Sequence, residues 1–100
     1  MKTFENKETE ITEQRGEVIK KIGFKDLALV GLNAAPKEGW TTNEMRKRFK
    51  AIDKIENLKI GDKVELEDSE FEVLLESSKV NWAMMHKDIV RFDDYLTSLK

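Results

Sequence analysis

Apolar side chains recur at helical spacing in four stretches of the chain, and the segments between them follow other patterns. Phe24, Leu27, Ala28 and Gly31 fit i, i+3, i+4 and i+7, while Leu29, Val30 and Leu32 fill the remaining faces. This predicts a largely buried first helix from residue 24. Asn33-Ala34-Ala35-Pro36 ends it, because the residue before a proline is pushed out of the α region and asparagine tolerates a C-cap. Lys37-Glu38-Gly39 then reads as a short exposed turn. After Trp40, Thr41 and Glu44 have capping-box spacing, with Thr42 or Asn43 as caps one turn later. Met45, Phe49, Ile52 and Ile55 recur at +4, +3 and +3, which predicts a second helix with a core-facing stripe.

Leu58 and Ile60, then Val64 and Leu66, flank Gly61-Asp62 in alternation with charged residues, which predicts a small β-hairpin. Asp68 or Ser69 caps a third helix in which Phe71, Leu74 and Leu75 share a face, ending near Ser77-Ser78. Val80 to His86 has no clear period and reads as a linker, and from Lys87 the spacing of Ile89, Phe92, Leu96 and Leu99 predicts a terminal helix. The first 17 residues differ from all of this. They hold only Met1, Phe4 and Ile11 as sizeable apolar side chains, too widely spaced for one helical stripe, which predicts a mobile polar arm (1–17) ahead of one globular domain (18–100). Val18, Ile19 and Ile22 after Gly16 fit either a helical or an extended entry, and Gly23 marks a break. The expected fold class is therefore α+β: a small, mostly helical domain of about four helices with one short hairpin between the second and third.

A length of 100 residues suffices for one core but not for two, and zero cysteines exclude disulfides, thiolate zinc sites, iron–sulfur clusters and cysteine nucleophiles. The longest nearly apolar run, Leu27 to Leu32, is far below the roughly 20 residues of a membrane span. The opening Met1-Lys2-Thr3-Phe4-Glu5 is followed by no apolar stretch, so the expectation is a cytoplasmic chain without membrane contact. The net charge of −2 hides a segregation: residues 41–60 carry +3 and residues 61–78 carry −6. Two surfaces for two partners, or neighbours that neutralise one another in the fold, both fit this pattern.

No stretch carries the spacing of a nucleotide-binding loop, an EF-hand or a nucleophilic triad. His86, the sole histidine, lies two residues before Asp88 and reads as a capping or exposed residue, with no catalytic residue, metal or cofactor expected. Trp40, Trp82, Met84 and Met85 are the candidate apolar anchors of a protein-binding surface, since tryptophan is enriched at interfaces and methionine at adaptable ones; the alternative for the tryptophans is core packing. Glu67 and Glu70, within the acidic segment 65–76, are candidates to orient a basic partner. The competing class is a nucleic-acid binder of winged-helix type, with Arg46, Lys47, Arg48 and Lys50 of the basic helix 43–55 against phosphates. Two observations oppose it: a wing normally follows three helices, and the chain is slightly acidic.

The stretches Leu29-Val30-Gly31-Leu32-Asn33-Ala34-Ala35-Pro36, Gly39 to Arg48, Ile52-Asp53-Lys54-Ile55, Val64 to Phe71, Asn81-Trp82-Ala83 and Ile89-Val90-Arg91-Phe92 together resemble small accessory proteins of tailed bacteriophages. The likeness spans about residues 24–99 and leaves out the polar arm. It implies a phage-type origin, a host-cytoplasmic location and a non-enzymatic helper or modulator role, and it assigns no functional residue. The expected partner is another protein, of host or phage, or a second copy of the chain.

Overall fold

A computed structural model describes residues 1–34 and 38–100, and at position 15 the backbone alone. Strands β1 (Lys2–Glu5), β2 (Glu8–Arg15) and β3 (Val18–Gly23) are followed by helices α1 (Phe24–Asn33) and α2 (Thr42–Ile55), strand β4 (Lys63–Leu66), and helices α3 (Asp68–Ser77) and α4 (Lys87–Ser98). The fold class is α+β, with four helices and two antiparallel two-stranded ribbons among the described residues. None of these helices is long and apolar enough to cross a membrane. The expected break at Ala35-Pro36 and turn at Lys37 lie outside the described residues.

Where a polar arm was expected, Lys2–Glu5 and Glu8–Arg15 are strands. β2 and β3 form a hairpin around Gly16, whose φ of 62° lies in the left-handed region that glycine tolerates. Cross-strand charge favours this register: Glu13 faces Lys20, and Lys21 Nζ lies 3.8 Å from Glu8 and 3.3 Å from Glu10. A register irregularity between Glu8 and Thr12 leaves the Thr9 hydroxyl to donate to Ile22 O at 2.7 Å and accept the Ile11 amide at 3.2 Å. Each strand thus sends one large apolar residue inward, Phe4 from β1 and Ile11 from β2. One apolar residue per strand is a weak periodic signal, which is why the segment reads as polar.

The hairpin expected over Leu58–Leu66 does not form. Lys63–Leu66 is a strand, but it pairs with β1, Phe4 opposite Val64 and Lys2 opposite Leu66, while residues 58–62 form turns. Asn6, buried between β1 and β2, is the reason for the exchange. Its amide donates to Asp62 O and its carbonyl accepts from the Gly61 amide, both at 2.9 Å. Its side-chain Nδ2 donates to Leu58 O at 3.2 Å, and Oδ1 accepts the Lys25 amide at 2.8 Å. One residue therefore supplies the pairing that a local partner strand was expected to give.

The helices start as chemistry requires. The Thr41 hydroxyl accepts the Glu44 amide at 3.2 Å, and His86 Nδ1 accepts the Asp88 amide at 3.0 Å. Carboxylates three residues inside the helices accept the Gly23 and Glu67 amides, from Asp26 at 3.0 Å and Glu70 at 2.8 Å. The N-cap of α3 is Glu67, so the expected caps Asp68 and Ser69 both lie inside the helix. The core lies between the ribbons and helices. Phe24 packs at 5.3 Å from both Phe92 and Tyr95, and the Tyr95 hydroxyl accepts the Glu5 amide at 2.8 Å. α1 and α3 meet at Gly31, where an added Cβ would stand 2.5 Å from the Ser77 carbonyl oxygen.

α1 leaves Val30 exposed, and the stripe of α2 outruns the core: Ile52 and Ile55 are buried, Met45 and Phe49 are not.

Gly31→Ala should destabilise the protein by about 1–3 kcal/mol, because backbone meets the new methyl. Asn6→Ala should cost about 2–4 kcal/mol by stranding the Lys25 amide and the Leu58 carbonyl. Urea unfolding followed by circular dichroism checks both, and an unchanged midpoint for either variant would contradict the corresponding contact.

Candidate functional site

An apolar groove of about 380 Å³ runs between the hairpin, α1 and the segment before α4. Ile11 of β2, Leu27 of α1 and Ile89 of α4 are buried members of its lining, with Ile22 of β3 partly buried. Val30, 56% exposed, Met84, 53% exposed, and the small Ala83 are its exposed members, and the half-buried Trp82 completes it. The lining contains no ionisable side chain. Its volume falls within the roughly 300–1,000 Å³ of ligand clefts, yet it lacks the polar side chains that orient small molecules in such clefts. What it offers is contact area for apolar groups.

Three sets of contacts position the groove. Trp82 is half-buried, its indole N–H donating to Ser78 O at 3.4 Å. The segment carrying it is secured behind by Asp93, whose Oδ1 accepts from Lys79 Nζ at 2.7 Å and the Ser78 hydroxyl at 3.0 Å. Lys79 chiefly holds the Asp93 carboxyl below its ordinary pKa. Ahead of it, His86 caps α4, and because Nδ1 accepts the Asp88 amide the proton of the neutral ring sits on Nε2.

The hairpin wall is tied to α4. Asp88, 2% exposed, accepts the Glu10 amide at 2.7 Å, and Arg91 lies 3.3 Å from the other Asp88 oxygen while donating to Glu8 O at 2.7 Å. The Glu10 hydrogen bond is the main cause that holds the Asp88 carboxyl below its ordinary range, against burial and with help from Arg91. Two side chains of one helix thereby fix where β2, and with it Ile11, stands.

The other sequence-predicted residues are scattered. Met85 is fully exposed and outside the groove lining. Trp40 is half-buried with the Arg48 guanidinium 5.4 Å from its ring centre, and its indole N–H has no partner among the described residues. Glu67 is exposed, but Glu70 is turned inward: its Oε1 accepts from Lys54 Nζ and from the Glu67 amide, each at 2.8 Å. Burial pushes the Glu70 carboxyl up, but Lys54 and the Glu67 amide outweigh it and hold the pKa down. Arg48 donates to the Gly31 and Leu32 carbonyls at 3.2 and 3.0 Å, and Lys47 lies 3.8 Å from Glu44, which leaves Arg46 and Lys50 without ion pairs among the described residues. No described group of three or more His, Asp or Glu residues is placed to hold a metal ion.

Ile11, Ile22, Leu27, Val30, Ala83 and Ile89 are the groove residues that sequence reasoning missed. The available signal was Val30, an apolar residue off the i, i+3, i+4, i+7 set of its own helix. Compared with protein-family models, curated proteins and solved structures, the chain gives no match.

Asp88→Ala should free the hairpin from α4, speeding amide exchange at Glu10 and along β2 and β3 and lowering stability by about 1–3 kcal/mol. In the unsubstituted protein the Glu10 amide resonance should titrate with Asp88. Since folding lowers this pKa, the tether's contribution is complete above the ordinary aspartate range and is lost as pH falls through the lowered value. An amide midpoint at or above the ordinary aspartate pKa would contradict the tether.

Proposed function

We propose that this protein is a non-enzymatic binding protein that seats an apolar segment of another protein, or of a second copy of itself, in the groove beside Trp82 and Met84. The observation that carries this reading is the lining itself: eight residues, none ionisable, with buried members below and exposed Val30 and Met84 above. Isolated apolar residues on a surface need no explanation, whereas a concave apolar group held in place from both ends fits an anchor site. Trp82 and Met84 keep the anchor role expected of them. Glu67 remains an exposed acid for a basic partner, while Glu70 serves Lys54.

The role is that of a phage-type accessory or modulator in the bacterial cytoplasm, supported by the resemblance over residues 24–99, and it requires no cofactor. Val30→Glu combined with Met84→Glu changes exposed positions, so the fold should survive, as thermal unfolding will show. Bacterial proteins retained on the immobilised protein after nuclease treatment should fall about tenfold with the double variant. If a second copy fills the groove, light scattering should show a dimer that the same variant converts to monomer. Met85→Glu should leave either result unchanged. Identical capture and identical mass for the double variant and the parent would overturn the reading.

A further inference from the structure

The exposed end of α2 is a second surface with a different chemistry. Its apolar stripe continues past the core from the buried Ile52 to Phe49, 55% exposed, and Met45, 38% exposed. At 3.6 residues per turn, Met45 and Phe49 lie about 40° apart around the helix, and Arg46 and Lys50 lie about 60° and 100° beyond Phe49 on one side. Arg48 sits on the opposite side, engaged with the α1 carbonyls and Trp40. Lys47 and Lys54 are paired with Glu44 and Glu70. The helix therefore presents an aromatic ring and a thioether bordered by Arg46 and Lys50, which form no ion pair among the described residues and, unlike Arg48, are not engaged with the α1 carbonyls. Arg46 makes one neutral hydrogen bond, to Asn43 at 3.3 Å, and Lys50 acts on the buried Glu70 only as a distant charge. Within α2, Asp53 is the one acid on that side, between Phe49 and the cations around the helix and one turn beyond Lys50 along it; Arg46 and Lys50 leave the side net positive, and a partner's carboxylates would meet them.

We infer that this face of α2 docks an acidic amphipathic helix of a partner protein, its apolar residues over Met45 and Phe49 and its carboxylates against Arg46 and Lys50. Charge complementarity selects this occupant. A second copy meeting the same face would bring Arg46 and Lys50 of both copies together, and like charges in contact oppose association. Nucleic acid is the poorer fit, because two free cations release few counterions and the chain carries a net charge of −2. The surface shares no residue with the groove lining, so the two readings stand or fall separately.

The probe is a fluorescein-labelled synthetic peptide of about 18 residues, long enough to form a helix, with leucines at i, i+3, i+4 and i+7 and glutamates on their flanks. Controls are the same peptide with lysine for glutamate and an oligothymidine strand of similar length. Fluorescence anisotropy should show the glutamate peptide binding more weakly as salt rises. Its affinity should drop about tenfold with Phe49→Ser and again with Arg46→Glu plus Lys50→Glu, and stay unchanged with Val30→Glu plus Met84→Glu. Phe49 and both cations are exposed, and Phe49→Tyr, which keeps the ring, should bind as the parent does. The inference is overturned if the glutamate peptide does not bind or the lysine peptide binds equally well. It is equally overturned if the α2 variants leave affinity unchanged, if the oligonucleotide binds more tightly and loses affinity on charge reversal, or if sedimentation reveals self-association that Phe49→Ser removes.

Discussion

The arrangement of both ribbons depends on Asn6. A buried primary amide is costly unless its donors and acceptor are met, and this one is met from two directions, by the turn at residues 58–62 and by the first turn of α1. Its backbone groups continue the β1–β4 pairing by one more step, to Gly61 and Asp62. The same residue stands where an added Cβ on Gly23 would lie 2.2 Å from its Oδ1, so the end of β3 closes around it. A residue with a charge, a longer stem or only one hydrogen-bonding sense satisfies fewer of these contacts. Asn6 thus fixes the relative placement of elements that are far apart in the chain.

The hairpin is placed from the opposite flank. Its twisted ribbon has little core of its own, since Val18, Ile19 and most of its polar residues face water, and its base is held by Asp88 and Arg91 of α4. A two-stranded ribbon is marginal in isolation, so these contacts, together with Ile11 and Ile22, define its pose. The groove results from that pose. One wall belongs to a hairpin held at its base by Asp88 and Arg91, the other to α1 and to a segment secured by Asp93 and the His86 cap. The face of α2, by contrast, stands on a helix whose lower half is core, and its geometry is independent of the hairpin.

Much of the helical half was legible in the sequence because its signals are local. The Thr41 cap, the Asn33 end of α1 and the Ile89, Phe92, Leu96 series each depend on neighbours within a turn or two. The strands were not, because β1 finds its partner about sixty residues away and contributes one large core residue, Phe4. A turn did form there, but one residue earlier than expected, with Ile60-Gly61 at its centre and Asp62 closing it on Lys59, and a turn does not specify the partner of the strand after it. Stripe length misled as well: Met45 and Phe49 obey the period of a buried face, but the core ends before them. Trp82 and Met84 were legible as anchor candidates from residue type, whereas the groove needs Ile11, Leu27 and Ile89 brought together by tertiary packing.

The pairing of Lys2 with Leu66 also carries a schedule. A hairpin closed by a two-residue turn can form within microseconds of its synthesis, but β1 has nothing to pair with until β4 has been made. At roughly 5–20 residues synthesised per second, the intervening sixty-odd residues take roughly 3–12 s. Throughout that interval the ring of Phe4 and an unpaired strand edge stay uncovered on the nascent chain. β1 therefore settles only after a strand made some sixty residues later, and during those seconds it is open to chaperones, proteases or other nascent chains.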